Sequence, residues 1–271
     1  MLFDRGIELK TPAQLRVMRE AGLVVAHTLA RLRDQVAAGM TTADLDAIAR
    51  AAIAEMGATS NFLGYHGFPG VICTSVNDEV VHGIPGDRVI ADGDVVSIDC
   101  GAVVDGWHGD SAVTVAVGEV PERVQDLLRV TEQAMWHGVS AAHDGGRVGD
   151  VGHAVQTYVA SQGEYGIVTG YTGHGIGTAM HQPPDVPNVG RPGKGARLKA
   201  GMAIAVEPMI TLGTSQTRTL EDDWTVVSLD GSWAAHFEHS VAITADGLWV
   251  LTAPDGGRAA LEALGAPYAG D

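Results

Sequence analysis

Four acids in this sequence sit where an acid is costly to keep bare. Asp99 closes the apolar run 95–98, and Asp110 opens the run that returns beside it. Glu207 closes the apolar run 203–206. Glu238 lies in an alternating stretch whose Phe237, His239, Val241 and Ile243 share one face, so Glu238 points to the other. Four carboxylates on inner strands repel one another, and a buried carboxylate needs an opposite charge. No Lys or Arg adjoins any of the four in sequence. Two divalent cations would neutralise them completely, which predicts a dinuclear metal centre. His174 and His181 add nitrogen ligands or proton-handling groups. The run Gly173-His174-Gly175-Ile176-Gly177 is too rich in glycine for a stable helix. Those glycines let backbone and imidazole come close to a metal or a substrate. Taken singly, each residue has a plainer reading: a strand-end Asp as turn former, a His as a hydrogen-bonded core or surface group. The set of six is what favours chemistry.

The elements that must hold these residues recur in one order. Thr11-Pro12-Ala13-Gln14 opens a helix with a capping box, and Leu15, Met18, Gly22, Val25, Leu29 and Leu32 fall on one face. A second helix follows Thr41, with Leu45, Ile48, Ala52 and Met56 inward and Gly57 as its stop. Strands at 95–98 and 112–117 come next, joined by a loop containing Gly106 and Gly109. The order then repeats. Pro121 opens a helix carrying Val124, Leu128 and Met135, and another helix follows Asp150. His82-Gly83-Ile84 answers His174-Gly175-Ile176, the run 93–99 answers 201–207, and the start of 110–113 answers 238–241. Shared order carries more weight than any one match, so two halves related by duplication are expected at about 1–118 and 119–250. A pseudo-twofold axis would bring the corresponding residues together at its centre, and those residues are acids.

Bulk composition limits the partners. Lys and Arg number 17 against 33 Asp and Glu, a net charge of −16, which disfavours DNA and anionic membranes. Arg191, Lys194, Arg197 and Lys199 form the local exception; a solvated loop is the default, an anionic surface the alternative. Cys73 and Cys100 are expected as buried, reduced thiols. The opening residues lack a basic-then-apolar leader, and no run of about 18 apolar residues is free of charge. A cytoplasmic protein is expected.

The more specific pieces are Gly64-Tyr65-His66-Gly67-Phe68-Pro69, Asn77-Asp78-Glu79-Val80-Val81-His82-Gly83-Ile84-Pro85, Asp105-Gly106-Trp107-His108-Gly109-Asp110, Gly173-His174-Gly175-Ile176-Gly177, Val206-Glu207-Pro208-Met209 and Phe237-Glu238-His239. In these the chain resembles the type I methionine aminopeptidases of short bacterial form, from about Lys10 to about Thr252. The resemblance implies an α+β pita-bread fold: a curved antiparallel sheet backed by helices, in two pseudo-symmetric halves, here one catalytic domain spanning 1–271. It implies Asp99, Asp110, His174, Glu207 and Glu238 as metal ligands, with Asp110 and Glu238 bridging two divalent ions. An oxygen-rich set of this kind suits Mn, Fe or Co, with Zn also accommodated. The implied reaction is removal of the N-terminal methionine from nascent proteins and peptides with a small second residue, by attack of a hydroxide generated at the dinuclear centre. His181 would stabilise the oxyanion, His82 would contact the backbone amide of the second residue, and Glu207 would be both ligand and proton shuttle.

The methionine pocket implied by the resemblance falls on Phe62, Tyr65, Phe68, Cys73 and Trp224, with Met180 nearby. Phe62 stands where a small thiol is common, Phe68 where Tyr is, and Met180 where an aromatic is; all keep the pocket apolar. Rival readings are a pita-bread peptidase cutting before proline, which usually carries an extra amino-terminal domain, a metal-free binding protein on the same fold, and a metallophosphatase. The binding protein would have lost ligands, and the phosphatase has no use for the Gly64–Pro69 motif. A monomer is expected, with weak ribosome contact through the Arg191–Lys199 loop. The Ala- and Gly-rich segment 254–271 is expected to be a loosely held tail.

Overall fold

The computed structural model describes residues 6–270; residues 1–5, read above for a leader, and residue 271 lie outside it. Its centre is a nine-stranded sheet with antiparallel pairing throughout. The strands are β1 (Thr59–Ser60), β2 (Ile72–Val76), β3 (Val95–Val104), β4 (Trp107–Ala116), β5 (Gly173–Gly175), β6 (Gln182–Val186), β7 (Ala203–Val206), β8 (Glu238–Ile243) and β9 (Leu248–Val250). They run in the order β1-β3-β4-β8-β7-β5-β6, with β2 also on β3 and β9 also on β8.

Helices α1 (Pro12–Gln35) and α2 (Thr42–Glu55) cover the first strand pair, and α3 (Glu122–Ala141) and α4 (Val148–Gln162) the second. Their apolar faces define two cores. One joins Leu32, Leu45, Ile72 and Ile98; the other joins Met135, Val155, Ile204 and Val241. The helix pair on a strand pair thus occurs twice, and the two halves meet where β4 lies beside β8.

The caps explain where the helices start. Gln14 N–H donates to Thr11 Oγ1 (3.3 Å) while Thr11 N–H donates to Gln14 Oε1 (2.8 Å). All six residues of the expected inward face of α1 are buried. In α2, Met56 lies past the last turn and is 37% exposed, not inward as its spacing suggested. Helix α4 begins at Val148, two residues before Asp150, because the Asp150 carboxylate accepts the Arg147 N–H and so belongs to the first turn. The hairpin β3–β4 runs well past residues 98 and 112: Asp105 and Gly106, both at positive φ, close a two-residue turn, and Gly109 lies inside β4.

Gly109 is small for a reason. A Cβ there would lie 2.8 Å from the Gly22 nitrogen, and one on Gly22 would lie 2.1 Å from the Leu251 carbonyl oxygen. Backbone thus meets backbone where α1 crosses β4, one residue from Asp110. Gly22→Ala should cost about 3 kcal/mol, since fixed main chain must move. A lower urea midpoint at unchanged m would show it; a loss under about 0.5 kcal/mol would mean α1 can lift away freely.

The C-terminal segment corrects the expectation of a loose tail. Residues Arg258–Ala263 form α5, Leu261 is fully buried, and Leu248 N–H donates to Pro267 O while Ala269 N–H donates to Leu248 O. Arg258 covers the Tyr268 ring at 4.6 Å. Ala/Gly composition hides the buried Leu261 and the strand-edge pairing that fasten it.

Candidate metal centre and pocket

Strand register brings the acids together. Cys73 pairs with Asp99, Asp99 with Ala112, and Ala112 with Glu238, so these four form one cross-strand row on one face. Asp110 lies two residues before Ala112 and shares that face. His239 pairs with Val206, and the same register sets Glu238 beside Glu207 at the end of β7. Gly175 pairs with Ile204, which sets His174 beside Ala205. A Cβ on Gly173 would lie 2.2 Å from the Ala205 carbonyl oxygen and one on Gly175 2.3 Å from that of Pro183, so glycine on both sides of His174 is what lets β5 lie this close. The halves are tied at the site itself: Ser240 Oγ donates to Asp110 O, and Ser111 Oγ donates to Glu238 O.

Ligating atoms of Asp110, His174 and Glu238 all lie within 4.8 Å of one another, as do those of Glu207, His236 and Glu238. Glu238 belongs to both groups. His174 Nδ1 lies 3.0 Å from the Gly175 carbonyl oxygen, a contact that requires the proton on Nδ1. That leaves a lone pair on Nε2, 3.5 Å from Glu207 Oε1.

The electrostatics are those of a cation site. Burial raises the Asp99 carboxyl to about 7, although nearby His236 opposes the shift, and raises Glu207 to about 8. Asp110 and Glu238 are pushed well above the carboxylate range by burial first and by the neighbouring acids second. Burial lowers His174 to about 3. Asp99 Oδ1, Asp110 Oδ1 and Glu238 Oε1 are buried without any hydrogen-bond partner among the described residues. Orphaned carboxylate oxygens converging with a neutral imidazole fit a divalent cation. Burial and the acids raise the Cys73 and Cys100 thiols, so thiolate ligation is disfavoured.

An apolar pocket opens onto this cluster, within a cavity of about 180 Å³. Phe62, Phe68, Cys73 and Met180 are buried in mutual contact, with Tyr65, Ile84 and Trp224 packed around them. Phe68 meets Phe62 and Trp224 edge-on, at 6.5 and 5.0 Å between ring centres. All six residues expected for the pocket are therefore in its wall.

His181 stands exposed at the mouth, with its Nδ1 2.8 Å from the Tyr65 hydroxyl and its ring 4.3 Å from that of His174. His82 lines the cavity in a left-handed conformation, φ 61°, which a non-glycine residue adopts only under constraint. Its ring meets Tyr171 and Trp224 edge-on, and burial, then His236 and His181, lower it to about 4.

Four residues escape the sequence reading. His236 is buried beside Glu207; the alternation that places Glu238 would have placed it two residues earlier on the same face. Tyr171 backs His82, and nothing in the local sequence marks it. Glu8 fastens the His174–His181 loop, with Lys10 paired to it at 3.6 Å: the Glu8 carboxylate accepts from Thr178 N–H, Thr178 Oγ1 and Gln182 Nε2. Burial would raise Glu8, but those donors and Lys10 hold it below the usual range.

The sequence profile of metallopeptidase family M24 matches residues 16–245. The chain belongs to metallopeptidase family M24. Methionine aminopeptidase 1 of Bacillus subtilis (strain 168) is 48% identical over 243 residues, covering 90% of this chain and 98% of that relative. The crystal structure of methionine aminopeptidase from Thermotoga maritima superposes with a TM-score of 0.89 at 41% identity, covering 91% and 99% of the two chains. The Xaa-Pro dipeptidase from Bacillus anthracis shares the M24 fold at TM-score 0.73 and 23% identity; this chain spans only 61% of its length. The M24 pita-bread fold, with its curled antiparallel sheet, is the fold described above.

Proposed function

We infer that this chain removes the amino-terminal methionine of peptides and nascent proteins that carry a small second residue. The observation that carries this reading is an apolar, sulfur- and aromatic-lined pocket opening directly onto the converging acids. Methionine is unbranched and polarisable, which suits walls of Phe62, Phe68, Met180 and Cys73. Asp99, Asp110, His174, Glu207 and Glu238 would hold two divalent cations, Mn, Fe, Co or Zn, with Asp110 and Glu238 shared. Bound there, such cations supply the Lewis acidity that polarises a peptide carbonyl and acidifies water.

The chain's own groups do the rest. The Tyr65 hydroxyl fixes one ring nitrogen of His181, so the other is free to donate to a developing oxyanion. His82, neutral at physiological pH, would hydrogen-bond the backbone amide that follows the scissile bond. Glu207, with a proton affinity raised to about 8 in the cation-free site, suits carrying a proton to the leaving amine. We assign the whole chain to one catalytic unit, monomeric and cytoplasmic; no helix of the described residues is long and apolar enough to cross a membrane. The exposed Arg191, Lys194 and Arg197 would supply weak ribosome contact; Lys199 is partly buried. Unchanged ribosome co-sedimentation after reversing their charges would remove that contact.

His82→Ala should reduce turnover about 100-fold while two metal equivalents stay bound; metal loss on this change would contradict the assignment. The deciding assay strips metal with a chelator, restores Mn(II) or Co(II), and offers Met-Ala-Ser beside an Xaa-Pro peptide. Metal-dependent release of Met with the Xaa-Pro peptide intact supports the reading. Preference for the Xaa-Pro peptide moves the chain to the proline-directed branch, and cleavage of neither returns it to a binding role.

A further inference from the structure

His236 has no part in the ligand set assigned above, yet it is 2% exposed and its Nε2 has no hydrogen-bond partner among the described residues. An imidazole nitrogen left so in the interior forfeits a hydrogen bond unless the site supplies a partner. The group it faces is Glu207: Nε2 lies 3.6 Å from Oε2. The other oxygen of the same carboxylate, Oε1, lies 3.5 Å from His174 Nε2. Glu207 is therefore bracketed by two imidazoles, one per oxygen. Among the described residues no hydrogen bond within 3.5 Å reaches its carboxylate.

The two imidazoles are not equivalent. His174 has its Nδ1 proton committed to the Gly175 carbonyl, so it presents a lone pair suited to a cation. An ionised carboxylate offers only acceptors and needs a donor on its second oxygen. His236 is placed to be that donor, and its backbone is pinned on both sides. Its N–H donates to Thr114 Oγ1 (2.9 Å), its carbonyl accepts from the same hydroxyl (2.8 Å), and Thr114 Oγ1 also meets Ser97 Oγ at 2.8 Å. Its backbone pairs with Met209, two residues past Glu207. A strut of polar contacts thus runs from the β3–β4 hairpin of the first half, through Thr114 and His236, to the acid at the end of β7 in the second.

We propose that His236 is a positioning residue: its Nε2–H grips Oε2 of the ionised Glu207, leaving Oε1, which faces His174, available to a cation that those ligands would hold. This rests on the ligand and proton-shuttle reading of Glu207, and deepens it. A donor in this place fixes which oxygen is offered to a cation and which accepts the imidazole N–H. His236 touches neither substrate nor reacting atoms in this role.

The test compares wild type, His236→Gln, which keeps an N–H donor, and His236→Ala, which removes it. The readouts are kcat and KM on Met-Ala-Ser, Co(II) affinity by chelator competition, Co(II) equivalents per chain, and the visible Co(II) spectrum. For His236→Ala the expected result is a kcat lower by about tenfold to a hundredfold at nearly constant KM, with Co(II) affinity about tenfold weaker and the stoichiometry kept. His236→Gln should recover most of both losses. The proposal is overturned if His236→Ala matches wild type, or if both variants lose a Co(II) equivalent together with visible band intensity, since His236 would then be a ligand. Should wild type release no Met at all, the activity reading fails by itself, and Co(II) affinity and its recovery in His236→Gln still decide the role of His236.

Discussion

Glu238→Gln is expected to lower metal-restored Met release by about a thousandfold and to leave fewer than two metal equivalents bound. Glu238 is the member common to both clusters of ligating atoms, and it opens β8 opposite Ala112 at the end of the cross-strand row. Glutamine keeps its size and one acceptor but removes the charge that both cation positions would share. Several kcal/mol of transition-state stabilisation rest on that charge, and each 1.36 kcal/mol is tenfold in rate, which gives the three decades. The folded state should not suffer. Burial and the neighbouring acids oppose ionisation of Glu238, so a neutral amide in its place relieves the metal-free site. The metal-free variant is therefore expected to melt at or above the wild-type temperature at pH 8. Metal analysis, the Met-Ala-Ser assay and a thermal melt check the three parts. Activity within tenfold of wild type at full metal content would defeat the shared-ligand reading.

What the sequence made legible was whatever repeats or alternates. The acids stood out because each borders an apolar strand run, and the repeat aligned Asp99 with Glu207 before any register was known. The α1 face and the Thr11–Gln14 cap were readable because helical spacing and capping are local. Residues whose role depends on a partner far along the chain were not readable. Glu8 looks like an ordinary polar residue until the fold carries it to Thr178 and Gln182, some 170 positions away. Gly109 reads as loop because glycine usually does, whereas it serves a backbone crossing against Gly22. His236 is an intermediate case: alternation through residues 236–239 reaches it, but only Glu207, brought alongside by sheet pairing, gives its nitrogen something to face.

The metal-free protein should lose stability as pH rises from about 6.5 to 8, and the metal-loaded protein should not. In the folded chain without cations, Asp99 holds its proton to about 7 and Glu207 to about 8, with Asp110 and Glu238 also raised. Unfolded, all four would ionise near pH 4. Groups with raised folded values contribute stability that is complete below the unfolded value and lost as pH climbs through the folded one. The buried imidazoles act in the other direction and mostly in a lower window. His82, His174 and His239 are lowered to about 4, 3 and 4, chiefly by burial, so their stability is present above pH 6.5 and lost as pH falls below it. His108, His137, His181 and His236 are lowered as well. At pH 6.5 the unfolded imidazoles are still about half protonated, so they offset part of the carboxylate loss until about pH 7.2, above which the carboxylates dominate. Each proton retained on folding is worth about 1.4 kcal/mol per pH unit, so one to two such protons over this interval amount to about 2–4 kcal/mol. For a chain of this size that is roughly 5–10 °C in melting temperature. Cation binding requires the same carboxylates deprotonated, so the gap between loaded and metal-free melts should widen as pH rises. Thermal melts in EDTA and in Mn(II) at pH 6.5, 7.2 and 8.0 read this directly, and Glu207→Gln should flatten the EDTA series. A metal-free melting temperature that holds steady or climbs over that interval would mean the acids are already ionised and balanced by something other than bound cations.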